Sequence, residues 1–355
     1  MFNGKELLKS LTEATGGPGD ESNPAGLLRE AAHGLADTIE TDAIGNTILH
    51  CAGAGSAPRP RVMLAAHTDE IALMVASIDK GGFLRVAEVG GFDPRTLPGQ
   101  EVVVHGKRNL VGVVGSKPPH LSSPEERNKS VPLEELFIDL AMSEDSVREL
   151  VNCGDFITIS RRTMELIDGR FAGKAMDNRA GVTTLAICLS ELRKLQFAAD
   201  VYAVGTVQEE VGCKGAQTAA FRLQPDLAVA IDVCHGETPG VASDLVQKLG
   251  NGPVISFGPR IHPKLFARLR EVAADANIPV QIEVTQGSTG TDADPIQIVQ
   301  AGIPTALISI PLRYMHTSVE TLAFADVRHA GILLARFIAS LDMAFVEGLT
   351  CYLND

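Results

Sequence analysis

The chain has no tryptophan, and aromatic residues make up only 5% of its 355 positions. It also has no apolar run near the roughly 20 residues that a membrane-crossing helix needs, so no membrane partner is expected. The opening Met1-Phe-Asn-Gly-Lys-Glu-Leu-Leu reads as an amphipathic helix and lacks the apolar core of a secretory signal. The six cysteines, at 51, 153, 188, 213, 234 and 351, are scattered and form no CxxC pair. That pattern fits reduced thiols in a cytoplasmic protein better than a disulfide framework. Cys213 lies close to candidate ligands in sequence without being one of them. Positive charge is also scarce. Lys and Arg number 31 against 44 Asp and Glu, a net charge of −13, which argues against a nucleic-acid surface.

What is present suits an α/β protein: 45% hydrophobic residues and 34 glycines. The length favours two domains, or one domain with an insertion. Apolar spacing predicts helices over 4–15 and 25–36, then strands over 37–42, 46–51 and 61–66. From about 71 to 165 the segments are short, rich in Val and Ile and separated by Gly or Pro. They read as a small β-barrel-like domain inserted into the fold. Residues 121–132 within it are polar and charged, which predicts a mobile loop. From 175 onward helices alternate with strands: helix 176–195, strand 200–207, helix 214–222, strand 227–232, helix 263–277, strand 279–284, helix 292–301, strand 304–310 and helix 324–346. This pattern predicts a mostly parallel sheet flanked by helices. Residues 1–70 and 165–355 would form a catalytic domain, and 71–164 the inserted one.

Two adjacent glutamates, Glu209 and Glu210, follow the apolar run Val201-Tyr-Ala-Val-Gly-Thr-Val207. Buried like charges repel, and they persist only beside something positive. Open α/β sheets bind ligands beyond the C-terminal ends of their strands, and other donors occupy equivalent places. Val62-Met-Leu-Ala-Ala66 leads to His67, with Asp69 two residues on. Leu227-Ala-Val-Ala-Ile231 ends at Asp232. Thr305-Ala-Leu-Ile-Ser-Ile310 is followed by His316, and Asp177 opens a long helical pattern. Each has an ordinary alternative. His67 and Asp69 could be a strand-end histidine and an exposed aspartate, Asp177 could cap a helix, and Asp232 could be a turn residue. Their coincidence in one fold favours a pair of divalent ions. One catalytic zinc needs about three protein ligands, whereas two ions need a carboxylate bridge and terminal ligands on both sides.

Five segments carry a resemblance over nearly the whole chain and in the same order. They are His67-Thr-Asp-Glu-Ile, Gly173-Lys-Ala-Met-Asp-Asn-Arg-Ala-Gly181, Val207-Gln-Glu-Glu-Val-Gly212, Ala230-Ile-Asp-Val233 and Arg313-Tyr-Met-His-Thr-Ser-Val-Glu320. The series resembles that of metallopeptidase family 42, dinuclear aminopeptidases that commonly assemble as tetrahedral dodecamers. Gly112-Val-Val-Gly-Ser-Lys-Pro-Pro-His120 resembles part of the family's dimerisation domain. The resemblance implies that His67 and Asp232 are terminal ligands of one metal, Glu210 and His316 of the other, and that Asp177 bridges them. It implies Glu209 as general base acting on a metal-bridging water, with Asp69 supporting His67. It further implies two divalent ions per subunit, zinc or cobalt with manganese as an alternative, and short peptides as substrates. The homo-oligomer would form through the inserted domain, with loop 121–132 reaching a neighbouring active site. The chain departs from the pattern at Ala72, where relatives often carry Gly, and at Asn178, where many carry Asp. Ser288-Thr-Gly-Thr-Asp-Ala293 is a variant of a Gly-Gly-Thr-Asp-Ala pattern. The competing readings are a related dinuclear deacylase, a protein labelled endoglucanase, and a non-catalytic scaffold. A glycosidase needs two free carboxylates, and a scaffold would usually have lost a ligand or the base.

Overall fold

The computed structural model describes residues 2–121, 123, 125 and 129–349. Residues 122, 124 and 126–128 of the loop expected over 121–132 therefore lie outside the described residues, as does Cys351.

An eight-stranded sheet forms the centre. Its order is β1 (Thr38–Thr41), β2 (Thr47–Cys51), β12 (Asp200–Thr206), β3 (Arg61–His67), β13 (Leu227–His235), β16 (Thr305–Leu312), β14 (Val254–Phe257) and β15 (Gln281–Val284). The four middle strands, β12, β3, β13 and β16, are parallel, and so are β14 and β15. The pairs β1–β2, β2–β12 and β14–β16 are antiparallel. The middle strands are buried on both faces; all eight residues of β16 are, as expected where helices cover both sides.

Strand alternation divides the core in two. Val62, Leu64 and Ala66 of β3 face one layer, with helices α4 (Met176–Leu192) and α8 (Phe324–Ala339). Met63 and Ala65 face the other, with α5 (Lys214–Leu223) and α7 (Ala293–Ile296). Helix α1 (Gly4–Glu13) adds Leu8 and Leu11 to the first layer. It is capped by Asn3, whose side chain accepts from the Lys5 and Glu6 N–H groups.

Between β3 and α4 the chain closes a six-stranded antiparallel barrel. Its order is β4 (Ala72–Ile78), β5 (Leu84–Val89), β8 (Phe137–Asp139), β7 (Asn109–Gly115), β6 (Glu101–His105) and β9 (Phe156–Ile159). It has its own core, with Leu73, Val75, Leu84, Val102, Val104 and Ile138. On β7, buried Leu110, Gly112 and Val114 alternate with exposed Val111 and Val113. Gly112 is required by close approach, because a Cβ there would stand 2.8 Å from Ile138 Cγ2.

The structure departs from the sequence pattern in several places. A seven-residue helix α3 (Glu144–Leu150) is present, capped by Ser143, in a region whose sequence reads as short strands. Strands β8 and β14 are short, and the small sheet β10 (Met164–Glu165), β11 (Arg170–Gly173), β17 (Glu320–Ala323) has segments too brief for periodicity to register. The helix expected over 292–301 is a single turn, followed by turns in which Gln300 and Gly302 adopt positive φ. The helix expected over 324–346 breaks after Ala339. Asp342 starts α9 (Met343–Glu347) by accepting the Phe345 N–H at 2.8 Å. Strand β13 does not end at Asp232 but runs on to His235.

Candidate metal centre

Sheet register brings the donors together. Thr206, the last residue of β12, lies opposite His67, so Glu209 and Glu210 emerge beside that imidazole. Ala230 pairs with Ala65, which sets Asp232 level with His67. Ala175, Gln208, Cys213 and His316 around this point all have positive φ. Non-glycine residues rarely adopt that conformation, and it clusters at functional sites.

Asp177 stands between the two imidazoles. Its Oδ1 is 3.2 Å from His67 Nε2, and its Oδ2 is 3.4 Å from His316 Nε2. Asp232 Oδ1 lies 3.8 Å from His67 Nε2, and Glu210 Oε1 lies 3.4 Å from His316 Nε2. Glu209 Oε2 is 4.0 Å from His67 Nε2. Two triads follow, His67–Asp177–Asp232 and Asp177–Glu210–His316. Within each, one donor atom per residue lies within 4.8 Å of the others. Every residue expected from the sequence to act at the site is therefore in one cluster.

Asp69 does more than flank His67. The His67 Nδ1–H donates to the Asp69 carbonyl at 3.2 Å, with Asp69 Oδ1 at 3.4 Å, which directs Nε2 into the site. The Asp69 carboxylate also accepts the N–H groups of Glu209, at 3.2 Å, and Glu210, at 3.1 Å. One buried residue thus sets the imidazole, through its carbonyl, and both glutamates, through its carboxylate. The helix-capping alternative for Asp177 belongs instead to Asn178. Its Oδ1 accepts the Gly181 N–H at 3.0 Å, and its Nδ2 donates to the Ile231 carbonyl at 2.7 Å. A Cβ at Gly181 would lie 2.3 Å from that Asn178 oxygen, which explains the glycine.

Three groups had no assigned role in the sequence. Glu320, fully buried on β17, accepts the N–H of Asp177 at 3.1 Å and of His316 at 2.7 Å. Asp292 accepts the Thr206 hydroxyl at 2.6 Å, while its other oxygen is buried and, among the described residues, unpartnered; it joins Glu209 and Cys213 in a further donor group, and Glu209 also groups with His67 and Glu210. Glu70 and Lys174 form a buried ion pair at 2.6 Å beneath the segment that carries Asp177. Glu320 and Lys174 stand inside quoted motifs, but their type alone gives no sign of a bond to a distant backbone.

The electrostatics suit cations. Burial raises the Glu209 carboxyl to about 8; the nearby His67 opposes this, and Asp292, Glu210 and Asp177 add to it. Burial likewise raises Glu210 and Asp232. Burial would also raise Asp177, but hydrogen bonds from His316 and His67 outweigh it and hold that carboxyl below its ordinary range. The cavity here measures about 260 Å³, and among the described residues no lysine or arginine lines it. Buried carboxylates in excess over imidazoles, all nitrogen or oxygen donors, could hold divalent metal ions.

A mostly parallel α/β sheet that gathers such a donor set beyond its strand ends, with a barrel inserted, defines a metal-dependent hydrolase. The M42 glutamyl aminopeptidase family matches residues 45–333. The lysyl aminopeptidase of Pyrococcus furiosus is 36% identical over 327 residues, 91% of this chain and 93% of that protein. The TET aminopeptidase of a marine-sediment Thaumarchaeota archaeon superposes with a TM-score of 0.92 at 35% identity, covering 98% of this chain and 99% of that one. The TET1 peptidase of Pyrococcus horikoshii, which can assemble into a tetrahedron or a large octahedral shell, gives 0.83 at 33% identity, covering 96% and 100%. The chain belongs to the M42 family of metal-dependent aminopeptidases.

Proposed function

We propose that the enzyme removes N-terminal residues from short peptides with two divalent cations per subunit. The observation that carries this reading is the Asp177 carboxylate, with one oxygen toward each of two imidazoles. Asp177 would bridge the ions. His67 and Asp232 would complete one site, and Glu210 and His316 the other. Zinc or cobalt suits this donor set, with manganese as an alternative, because imidazole and carboxylate discriminate weakly among them.

When bound, the ions would polarise the scissile carbonyl and acidify water. Glu209 acts as general base: it takes a proton from the attacking water and returns it to the departing amine. Its carboxylate lies 4.0 Å from His67 Nε2, beside the donors that would hold the ions, which supports a group within reach of the attacking water. Asp69 fixes the His67 ring and the backbone that presents Glu209. The surrounding carboxylates favour a free α-ammonium group, which restricts cleavage to the N-terminus. A glycosidase would need two free carboxylates flanking a sugar bond, and those available here lie within reach of the two imidazoles.

Residues 1–70 and 165–355 would form the catalytic domain, and 71–164 a dimerisation domain. The separate barrel core and the exposed Val111 and Val113 support the latter. Dimers joined in this way would build a tetrahedral dodecamer, in keeping with the shells of the Pyrococcus horikoshii relative.

The test is hydrolysis of aminoacyl p-nitroanilides and of their N-acetylated forms by metal-loaded enzyme. Only the free-amine substrates should be cleaved, and a chelator should abolish the reaction. Turnover that survives complete metal removal would rule this reading out.

A further inference from the structure

We propose that Glu283 makes this enzyme selective for peptides whose N-terminal residue is basic, lysine or arginine. This inference rests on the aminopeptidase reading above and names its substrate class.

Glu283 lies on β15, the edge strand of the central sheet. It lines the same cavity as His67, Asp177 and Asp232. It also lines a second cavity of about 810 Å³, which shares His235 and Met315 with the first. Glu283 thus stands where the metal-centre cavity opens into the larger one. A side chain leaving the first residue of a bound peptide finds its space in this direction.

The chemistry of this end is one-sided. Among the described residues, the Glu283 carboxylate has no hydrogen-bond or ion-pair partner, although it is half-buried. Among the described residues, no lysine or arginine lines either cavity. An acidic side chain would meet Glu283, and Asp244 further out, with no fixed cation to receive it. A basic one would supply the charge that Glu283 lacks. Burial raises the Glu283 carboxyl above its ordinary range, and only the His235 ring opposes this. The walls suit a long amphipathic side chain, since Val241, Leu245, Ile282 and Val284 present apolar surface for the methylene stem of lysine or arginine.

A structural glutamate would be tied to a neighbour, as Glu70 is to Lys174. Glu283 is tied to none, and its strand neighbours Ile282 and Val284 are exposed.

The experiment uses the full-length, metal-loaded enzyme and the p-nitroanilides of lysine, arginine, leucine and glutamate. The lysyl and arginyl substrates should show the highest kcat/KM and the glutamyl substrate the lowest. Glu283→Gln, which keeps shape and removes charge, should lower the lysyl-to-leucyl ratio of kcat/KM about 10- to 100-fold, the range of one charge-assisted contact. The loss should fall mainly in KM. Glu283→Lys should raise the glutamyl-to-lysyl ratio above that of the wild type. A wild-type preference for leucyl or glutamyl substrate overturns the proposal and leaves the aminopeptidase reading standing, as does an unaltered ratio in Glu283→Gln. Failure of the wild type to cleave any of the four overturns both.

Discussion

Glu320 holds the backbone of Asp177: its Oε2 accepts the Asp177 N–H at 3.1 Å while its Oε1 accepts that of His316 at 2.7 Å. Asp177 belongs to two of the donor groups and His316 to one, so a side chain from β17 sets the spacing of both residues. Glu320→Ala leaves two N–H groups without their partner. Each such loss destabilises by about 1–3 kcal/mol when the group is buried, and outer-shell losses weaken metal binding about 10- to 100-fold. Chemical denaturation and metal titration of this variant should show both effects. Wild-type metal affinity would mean that Glu320 serves the fold alone.

Asp177→Asn should reduce metal content. The substitution keeps shape but removes the negative charge that two cations would share. Elemental analysis after gel filtration should fall from two ions per subunit to one or none, with the circular dichroism spectrum retained. Two tightly held ions in this variant would be incompatible with a bridging role.

Glu209→Gln should behave in the opposite way. Metal content should stay at two, because Glu209 is proposed as base and not as ligand. Turnover should drop about 10²- to 10⁴-fold, the range of general-base catalysis. Near wild-type kcat would assign the proton transfer to another group.

The metal-free enzyme should lose thermal stability as pH rises from 6 to 9. Burial raises Glu209 from 4.5 to about 8. For His316 burial acts downward, but hydrogen bonds to Asp177 and Glu210 prevail and raise it from 6.5 to about 11. Both folded values exceed the unfolded ones, so the folded state binds more protons. The stability contributed is full below the unfolded values and is lost as pH climbs through the folded ones. The two windows overlap between 6.5 and 8. Saturating zinc or cobalt should flatten the dependence, because metal displaces those protons. Calorimetric scans across this range, with and without metal, provide the check; a melting temperature of the metal-free form that rises with pH would contradict the assignment.

Replacing Val111 and Val113 by lysine should break the proposed barrel interface. Both side chains are exposed on β7, so the barrel core is untouched and folding should survive. Light scattering should report a smaller assembly than the wild type. An unchanged mass would move the interface elsewhere.

Much of the site was legible because its residues occupy local positions that a sequence reports. His67 closes an apolar strand, and Glu209 and Glu210 follow another. Apolar runs marked the four middle strands, and short Val- and Ile-rich segments marked the barrel. The two-residue strand β10, the capped helix at Ser143 and the break before Asp342 were not legible. One or two side-chain hydrogen bonds decide such features, and periodicity does not register them.

The residue types and their order were enough to indicate a metal-binding α/β protein, because strand ends in a parallel sheet converge on one edge, and the resemblance of the five motifs supplied the hydrolase reading. Tertiary structure alone decided that Asn178 caps the helix while Asp177 faces both imidazoles, that Asp69 holds both glutamates, and that Glu320 and Glu283 belong to this neighbourhood. These relations join residues far apart in the chain. They depend on strand register and on which way a buried side chain turns, and neither leaves a periodic trace in the sequence.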